Sequence, residues 1–492
     1  MRKPAQALGF SLLAALLLAG NAPAFATAQI VIVNTNGPGV GFNDTTPATP
    51  VGGNTGTTVG QQRLIAFQNA ADIWGSILSS PVPIYIQASF QSLPCSATSG
   101  VLGAASTIQV FANFPHAPLR NTWYPVALAN ALAGGDLAPG ANGTDADDIF
   151  AVFNSDLGKA NCLTSAPWYY GLDDNHGNGV DLVTVLLHEF GHGLGFAGFY
   201  DVTTGELLAG HPDVFSNFTY STTLRKAWPR MTNAQRMAAT IDSGHLVWTG
   251  KNVTAAAKQV LQAGTPLVTV NAPASLGSFA VGTATFGPSL TSPGVKGLVV
   301  NAQDEDEDGP GGASTATDGC SPIANDLSGK IALIDRGSCN FTVKVKNAQN
   351  AGAIGVILVN NVPGGPPPGL SGTDATLTIP AVLITQADGN KLRATAARGK
   401  AQATIGINPK VLAGANAQGQ VLLFAPNPVA PGSSYSHWDI SAFPNLLMEP
   451  AINADLTHGV DLTRQALIDI GWTLDGNAVA GEETAGPPDG SP

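Results

Sequence analysis

Residues 188–192 read HEFGH, and His188, Glu189 and His192 are the side chains whose types and spacing most directly imply chemistry. On an α-helix, residues four apart project from one face, so both imidazoles can reach one metal ion, with Glu189 about 100° round the helix from His188. A carboxylate beside a zinc ion, but not on it, is placed to take a proton from a zinc-bound water, which is the chemistry of peptide-bond hydrolysis. Two imidazoles do not complete such a site, because a catalytic zinc keeps three protein ligands and a water. The rest of the chain must supply the third. The candidates are His176, Glu206, His211, His245 and, far downstream in SYSHWD, His437.

The helix that carries the motif is expected to start near Asp181, a good N-cap, and to run LVTVLLHEFGHG. Leu182, Val185 and Leu186 would bury its other face, and Gly191, Gly193 and Gly195 let it stop abruptly and turn back toward the metal. Upstream, a Gly/Thr/Pro-rich loop over 37–60 precedes QQRLIAFQNAADIWGSIL, which puts Phe67, Ala71, Trp74 and Leu78 on one helical face. Pro81 and Pro83 end that helix, and VPIYIQASF and DDIFAVFNS read as strands. The layout predicts an α+β unit around the HEFGH helix.

Composition narrows the setting. The chain has 492 residues, 44% of them hydrophobic and 11% charged, with a net charge of −12. That balance argues against nucleic acid as a partner and gives no basic footprint for anionic membranes. It says nothing of oligomeric state. The opening MRKPAQALGFSLLAALLLAGNAPAFATAQ has the basic start, apolar run and small-residue sites of a secretory signal, cut near Ala26 or Ala28. An exported, soluble protein is expected, extracellular or periplasmic, and no other stretch is long and apolar enough to span a bilayer. In an oxidising compartment the four cysteines suggest disulfides. Cys95 with Cys162, and Cys320 with Cys339, is the favoured pairing because each pair then falls within one proposed domain. The alternative, Cys95 as an inhibitory thiolate on zinc, is disfavoured because the strand-like QIVIVN directly follows the signal and leaves no room for a propeptide. Asp304, Asp306, Asp308 and Gly309 begin a calcium-loop pattern, but Thr315 stands where its closing glutamate belongs. Bound calcium is therefore weakly supported, and a solvated acidic loop is the simpler reading.

From about residue 272 the chain becomes rich in Val, Ile, Gly and Pro. KIALID reads as a buried strand, FTVKVKNAQNAG as a helix closed by Gly352, and AIGVILVNN as a second buried strand. With TIPAVLITQADGNKLRA, and with Cys320 and Cys339 flanking the first strand, this span resembles the protease-associated (PA) domain, an α/β module. The resemblance implies substrate positioning, partner contact or control of access. Enzyme-like sequence resumes at SSYSHWDISAFPNLLMEP, so the module reads as an insertion.

Around the zinc motif the sequence resembles the metzincin zinc peptidases, whose motif has glycine at the position of Gly195. Many of them place a third histidine where this chain has Gly198, so that ligand is absent here. His437, followed eleven positions later by Met448 in NLLMEP, resembles the leishmanolysin-like branch, where the third histidine is displaced by a long insertion. By that resemblance His437 is the third ligand, Met448 an apolar floor beneath one catalytic zinc, and proteins or peptides the substrates. Pro450 stands where some metzincins carry a tyrosine ligand. No oxyanion-stabilising group can be named, although His458 and Tyr435 are conceivable.

The expected architecture is α+β: a metzincin-like zinc peptidase domain interrupted by an α/β PA domain. It divides into a signal peptide (1–28), a first peptidase part (29–271), the PA insertion (272–410), a second peptidase part (411–474) and a flexible tail (475–492). The expected activity is that of a secreted zinc metalloendopeptidase. One rival is an exported adhesion or binding protein that uses the PA domain on an inactive peptidase scaffold, which would have no need of Glu189. Another is a metal-dependent hydrolase of non-peptide substrates.

Overall fold

The computed structural model describes residues 27–139, 147–305 and 315–474. Residues 1–26 of the signal segment, the tail beyond Leu474 and Asp306, Asp308 and Gly309 of the acidic loop lie outside them.

The site stands on a four-stranded sheet with the order Ile30–Asn34, Ile84–Gln91, Ile149–Asn154, Gly103–Thr107. The first three strands are parallel and the last is an antiparallel edge. In Ile84–Gln91 alternation sends Ile84, Ile86, Ala88 and Phe90 into the core. Parallel neighbours need a crossover, which the helix Val59–Ile77 supplies between the first two strands. The expected α+β unit is therefore better described as α/β, with a mixed sheet. Thr58 caps that helix by accepting from the Gln61 N–H, and Phe67, Ala71 and Trp74 are fully buried. The Trp74 indole N–H donates to the Leu187 carbonyl at 3.1 Å, which locks the crossover helix to the HEFGH helix.

A second sheet has eight strands, ordered Ser278–Ala280, Ala263–Ala272, Gln402–Leu412, Val295–Asn301, Ile331–Asp335, Gly355–Val359, Ala381–Ile384, Gly282–Thr283. Val295–Asn301, Ile331–Asp335, Gly355–Val359 and Ala381–Ile384 run parallel to their neighbours among these four. A strand covered on both faces should be apolar throughout, and Ile331 to Ile334 are all fully buried. The two faces carry separate cores, one around Leu333, Ile357 and Val382 and the other around Ile334, Leu358 and Leu383. The helix Phe341–Asn350 follows the Ile331–Asp335 strand, and Gly352, at φ +87°, makes the turn after it. The sheet begins at Ala263, ahead of the composition change at 272, because Ala263–Ala272 pairs along Gln402–Leu412.

The disulfides join Cys95 to Cys162 and Cys320 to Cys339, so Cys95 is not a free thiolate. The chain closes with the helix Asp461–Ile470 and the short strand Thr473–Leu474, which pairs with Leu78–Ser79. Trp472 is buried there and donates its indole N–H to the Leu194 carbonyl, at the end of the HEFGH helix. Among the described residues no helix is long and apolar enough to cross a membrane.

Candidate metal centre

The helix Leu182–Leu194 is capped by Asp181, whose Oδ1 accepts the Thr184 N–H at 2.9 Å. It ends at Gly195, where φ is +125° and an added Cβ would lie 2.7 Å from Ile470 Cδ1, so both conformation and space call for glycine. Gly191 is glycine for a second reason: a Cβ there would sit 2.9 Å from the Met448 sulfur, which packs directly under the helix. Gly198, where a third histidine was not available, is filled by the Tyr435 ring, 2.2 Å from an added Cβ.

The structure brings His188, His192 and His437 together. Their ligand atoms fall within one cluster, with Nε2 of His192 3.2 Å from Nε2 of both His188 and His437. Each Nδ1 faces a backbone carbonyl: His188 that of Leu447 at 2.7 Å, His192 that of Phe196 at 2.8 Å, His437 that of Ser433 at 2.7 Å. A carbonyl can only accept, so each Nδ1 carries the hydrogen and each Nε2 presents a bare lone pair. Three lone pairs converging in this way repel one another and cannot hydrogen-bond among themselves. A cation between them removes the conflict, and tetrahedral zinc with nitrogen ligands at ~2.0–2.1 Å would hold them ~3.3 Å apart. Burial also disfavours the imidazolium forms, drawing His188 down to about 4 and His192 to about 3. His437 falls well below its ordinary range, by burial first and then by the neighbouring imidazoles. The residues present thus fit one zinc ion, with a position left for water.

The segment bearing His437 is clamped on both sides. The Phe424 N–H donates to the His437 carbonyl at 2.8 Å, and the Trp438 N–H to the Met448 carbonyl at 2.8 Å. The Trp438 ring packs edge-on against Phe196, 4.8 Å between centroids. Met448 is fully buried against the HEFGH helix at Gly191.

Glu189 is buried beside the cluster, and burial pushes its carboxyl up to about 8, partly offset by a hydrogen bond from the backbone at Ala105 in the edge strand. The remaining candidates lie elsewhere. His176 Nδ1 faces the Gly179 carbonyl, His245 pairs with Asp242 at 3.2 Å, His211 packs near Trp123, and Glu206 is exposed. Tyr435 is buried and donates its hydroxyl to Ser216 Oγ, so it does not serve an oxyanion. His458 sits against Asp174 and Asp181. Asp304, the described part of the calcium-like loop, accepts the Ser321 N–H through Oδ2.

Two residues that matter here were not singled out by the sequence. Asp461 is half-buried and accepts the Leu447 N–H through Oδ2, while the Leu447 carbonyl faces His188, so the backbone of one residue, Leu447, links the carboxylate to the imidazole. Its Oδ1 accepts from both the N–H and the hydroxyl of Thr463 at 3.0 Å, and its φ of +33° is a strained value for a residue other than glycine. The one available signal was the tetrapeptide GVDL, which heads the HEFGH helix at 179–182 and recurs at 459–462. Groups that orient a metal-binding imidazole typically change affinity 10–100-fold. Asp461→Ala should therefore raise the zinc dissociation constant by about that factor in a chelator competition, and Asp461→Asn, which keeps an acceptor, by less.

Glu449 is the second. It is 1% exposed, and burial, together with Asp439 and Asp461, pushes its carboxyl up to about 8. Its folded value lies above its unfolded value, so between about pH 4.5 and 8 the folded state holds a proton that the unfolded state has lost. Stability from this group falls as pH rises through that window. Glu449→Gln should flatten the decline of melting temperature between pH 5 and 8 and be worth up to a few kcal/mol at pH 8. An unchanged slope would place the cause in another group.

Residues 295–392 match the PA domain family. Signal peptide peptidase-like 2 of Arabidopsis thaliana is 35% identical over 85 residues, 15% of this chain and 14% of its own. Leucine aminopeptidase 2 of Arthroderma otae is 44% identical over 82 residues, 17% of this chain and 16% of its own. Among solved structures, an aminopeptidase from Aneurinibacillus sp. strain AM-1 matches at 28% identity and a TM-score of 0.22, covering 30% of this chain and 31% of that one. A zinc aminopeptidase from Bacillus subtilis matches at 23% identity and a TM-score of 0.21, covering 32% and 36%. A peptidase M28 precursor from Shewanella amazonensis matches at 18% identity and a TM-score of 0.21, covering 30% and 36%. The chain spans about a seventh of the first two relatives and about a third of these structures. The metzincin assignment is corrected on these findings: the family matched is the PA domain, and the relatives matched with it include a leucine aminopeptidase and a signal peptide peptidase-like protein.

Proposed function

We propose that this protein is a zinc-dependent peptidase whose zinc is held by His188, His192 and His437 and whose general base is Glu189. The observation that carries the reading is the convergence of three bare imidazole lone pairs beside a buried carboxylate. Zinc held there by the three imidazoles would supply a water acidic near neutrality and a Lewis acid for the substrate carbonyl. Glu189, beside the three imidazoles, would take the proton of the attacking water and hand it to the departing amine. The three carbonyls at Leu447, Phe196 and Ser433 keep the imidazoles in the right tautomer throughout.

Internal cleavage is the mode the geometry favours. Gly103–Thr107 ends the sheet order, and Ala105 within it touches Glu189. An extended chain can lie along such an edge and continue past the metal in both directions. A second reading, removal of amino-terminal residues, is favoured by the names of the relatives, which include a leucine aminopeptidase and a zinc aminopeptidase. Two disulfides, which form in oxidising compartments, support a location outside the cytoplasm.

The test offers the purified protein an internally quenched peptide with both termini blocked, and separately a free leucyl anilide. Zinc-dependent cutting of the blocked peptide, lost with chelator and restored by zinc, is the expected result. Cutting of the free amine alone would establish the aminopeptidase reading. Bound zinc with no cutting of either would leave a binding protein on a peptidase scaffold.

A further inference from the structure

A second cluster of ligand-type side chains stands at the other end of the HEFGH helix. His458 Nε2 lies 3.0 Å from Asp174 Oδ1 and 3.1 Å from Asp181 Oδ1, and the His458 backbone N–H donates to Asp174 Oδ1 at 3.0 Å. The ligand atoms of the three side chains fall within 4.8 Å of one another. They come from three separate places: the loop before the helix, its N-cap, and the segment leading into Asp461–Ile470. Asp173 adds a third carboxylate next door, occupied by the Tyr169 hydroxyl.

The charges here do not balance. Two carboxylates meet one imidazole, with that of Asp173 close by, and among the described residues no lysine or arginine pairs with any of the three. The second oxygen of Asp181 sharpens the point. Its side chain is 5% exposed, Oδ1 is engaged by the Thr184 N–H and by His458, and Oδ2 is buried with no hydrogen-bond partner. A buried carboxylate oxygen left unpaired carries the full cost of its desolvation. A divalent cation answers both the excess charge and the empty oxygen.

We propose that Asp174, Asp181 and His458 form a second divalent-cation site, separate from the catalytic one, that fastens the N-terminus of the HEFGH helix to the C-terminal segment. One imidazole with two carboxylates suits a zinc-class ion better than calcium, which takes oxygen ligands. Asp181 and His188 are seven residues apart on one helix, so the two sites are ~10 Å apart, against ~3.5–4 Å in bridged two-metal centres. The second ion is therefore a fastener and not a partner in the reaction.

The experiment counts zinc per chain after dialysis and records the visible spectrum of the cobalt-substituted protein. The counting rests on the three-histidine site holding the first ion. Wild type should hold two zinc ions, and His437→Ala one. His458→Ala and Asp174→Asn should each hold one while the cobalt spectrum of the three-histidine site is unchanged. Asp174 is on the surface, so its variant gives the reading if His458→Ala fails to fold. A wild-type content of one ion, unaltered by either substitution, would overturn the second site and leave an ion pair there. If instead His437→Ala keeps both ions while His458→Ala loses one, the second site stands and the catalytic assignment falls.

Discussion

Glu189→Gln should bind zinc as wild type does and lose about 10²–10⁴-fold in kcat/KM, the range that general acid–base groups contribute. Glutamine keeps the shape and can still meet the backbone at Ala105, so the helix and the three imidazoles have no reason to move. What it removes is the capacity to take a proton and return it. Zinc content by elemental analysis and initial rates on the blocked peptide, taken on the same sample, decide the matter. Loss of zinc along with rate would mean that the carboxylate is a ligand. Retention of both would mean that another group serves as base.

His437→Ala should release the metal altogether under dialysis, and with it all cleavage. The loss in affinity should exceed the 10–100-fold expected for Asp461→Ala, because a ligand is removed and not merely misoriented. Folding need not fail, since the Phe424 and Trp438 backbone bonds that clamp the segment do not use the imidazole. A circular dichroism spectrum like that of wild type, together with a zinc count reduced by one, is the expected pair of observations. Full zinc and full rate would point to a ligand other than His437.

The HEFGH helix was legible in the sequence because local signals agree there: Asp181 at its start, an apolar run, and glycines where it must stop. The strand Ile84–Gln91 and the buried strands of the PA unit were legible for the same reason, since alternation or continuous apolarity records which faces are covered. The edge strand Gly103–Thr107 was not, because GAAST carries neither pattern. His437 has no local mark that separates it from other histidines, and only a resemblance singled it out. The family name drawn from that resemblance did not hold, although the three imidazoles do meet. Asp461 and Asp181 were least visible as site residues. A carboxylate at a helix start looks, in sequence, like any N-cap.

Ligands so far apart along the chain set a problem in polymer entropy, which the inserted sheet eases. His192 and His437 are 245 residues apart, and a featureless loop of that length would have to close before the metal could bind. Where the insertion begins and ends, however, the Ala413 N–H donates to the Gln262 carbonyl at 3.0 Å, and Ala263 pairs with Leu412. Once that sheet has folded, roughly 70 residues from His192 to Gln262 and roughly 24 from Ala413 to His437 remain, so about 94 stand in place of 245, and closure costs about 0.8 kcal/mol less. Residues added to loops inside the insertion leave that closure untouched. Residues added between Ala413 and His437 lengthen the loop that must close for the third imidazole to arrive.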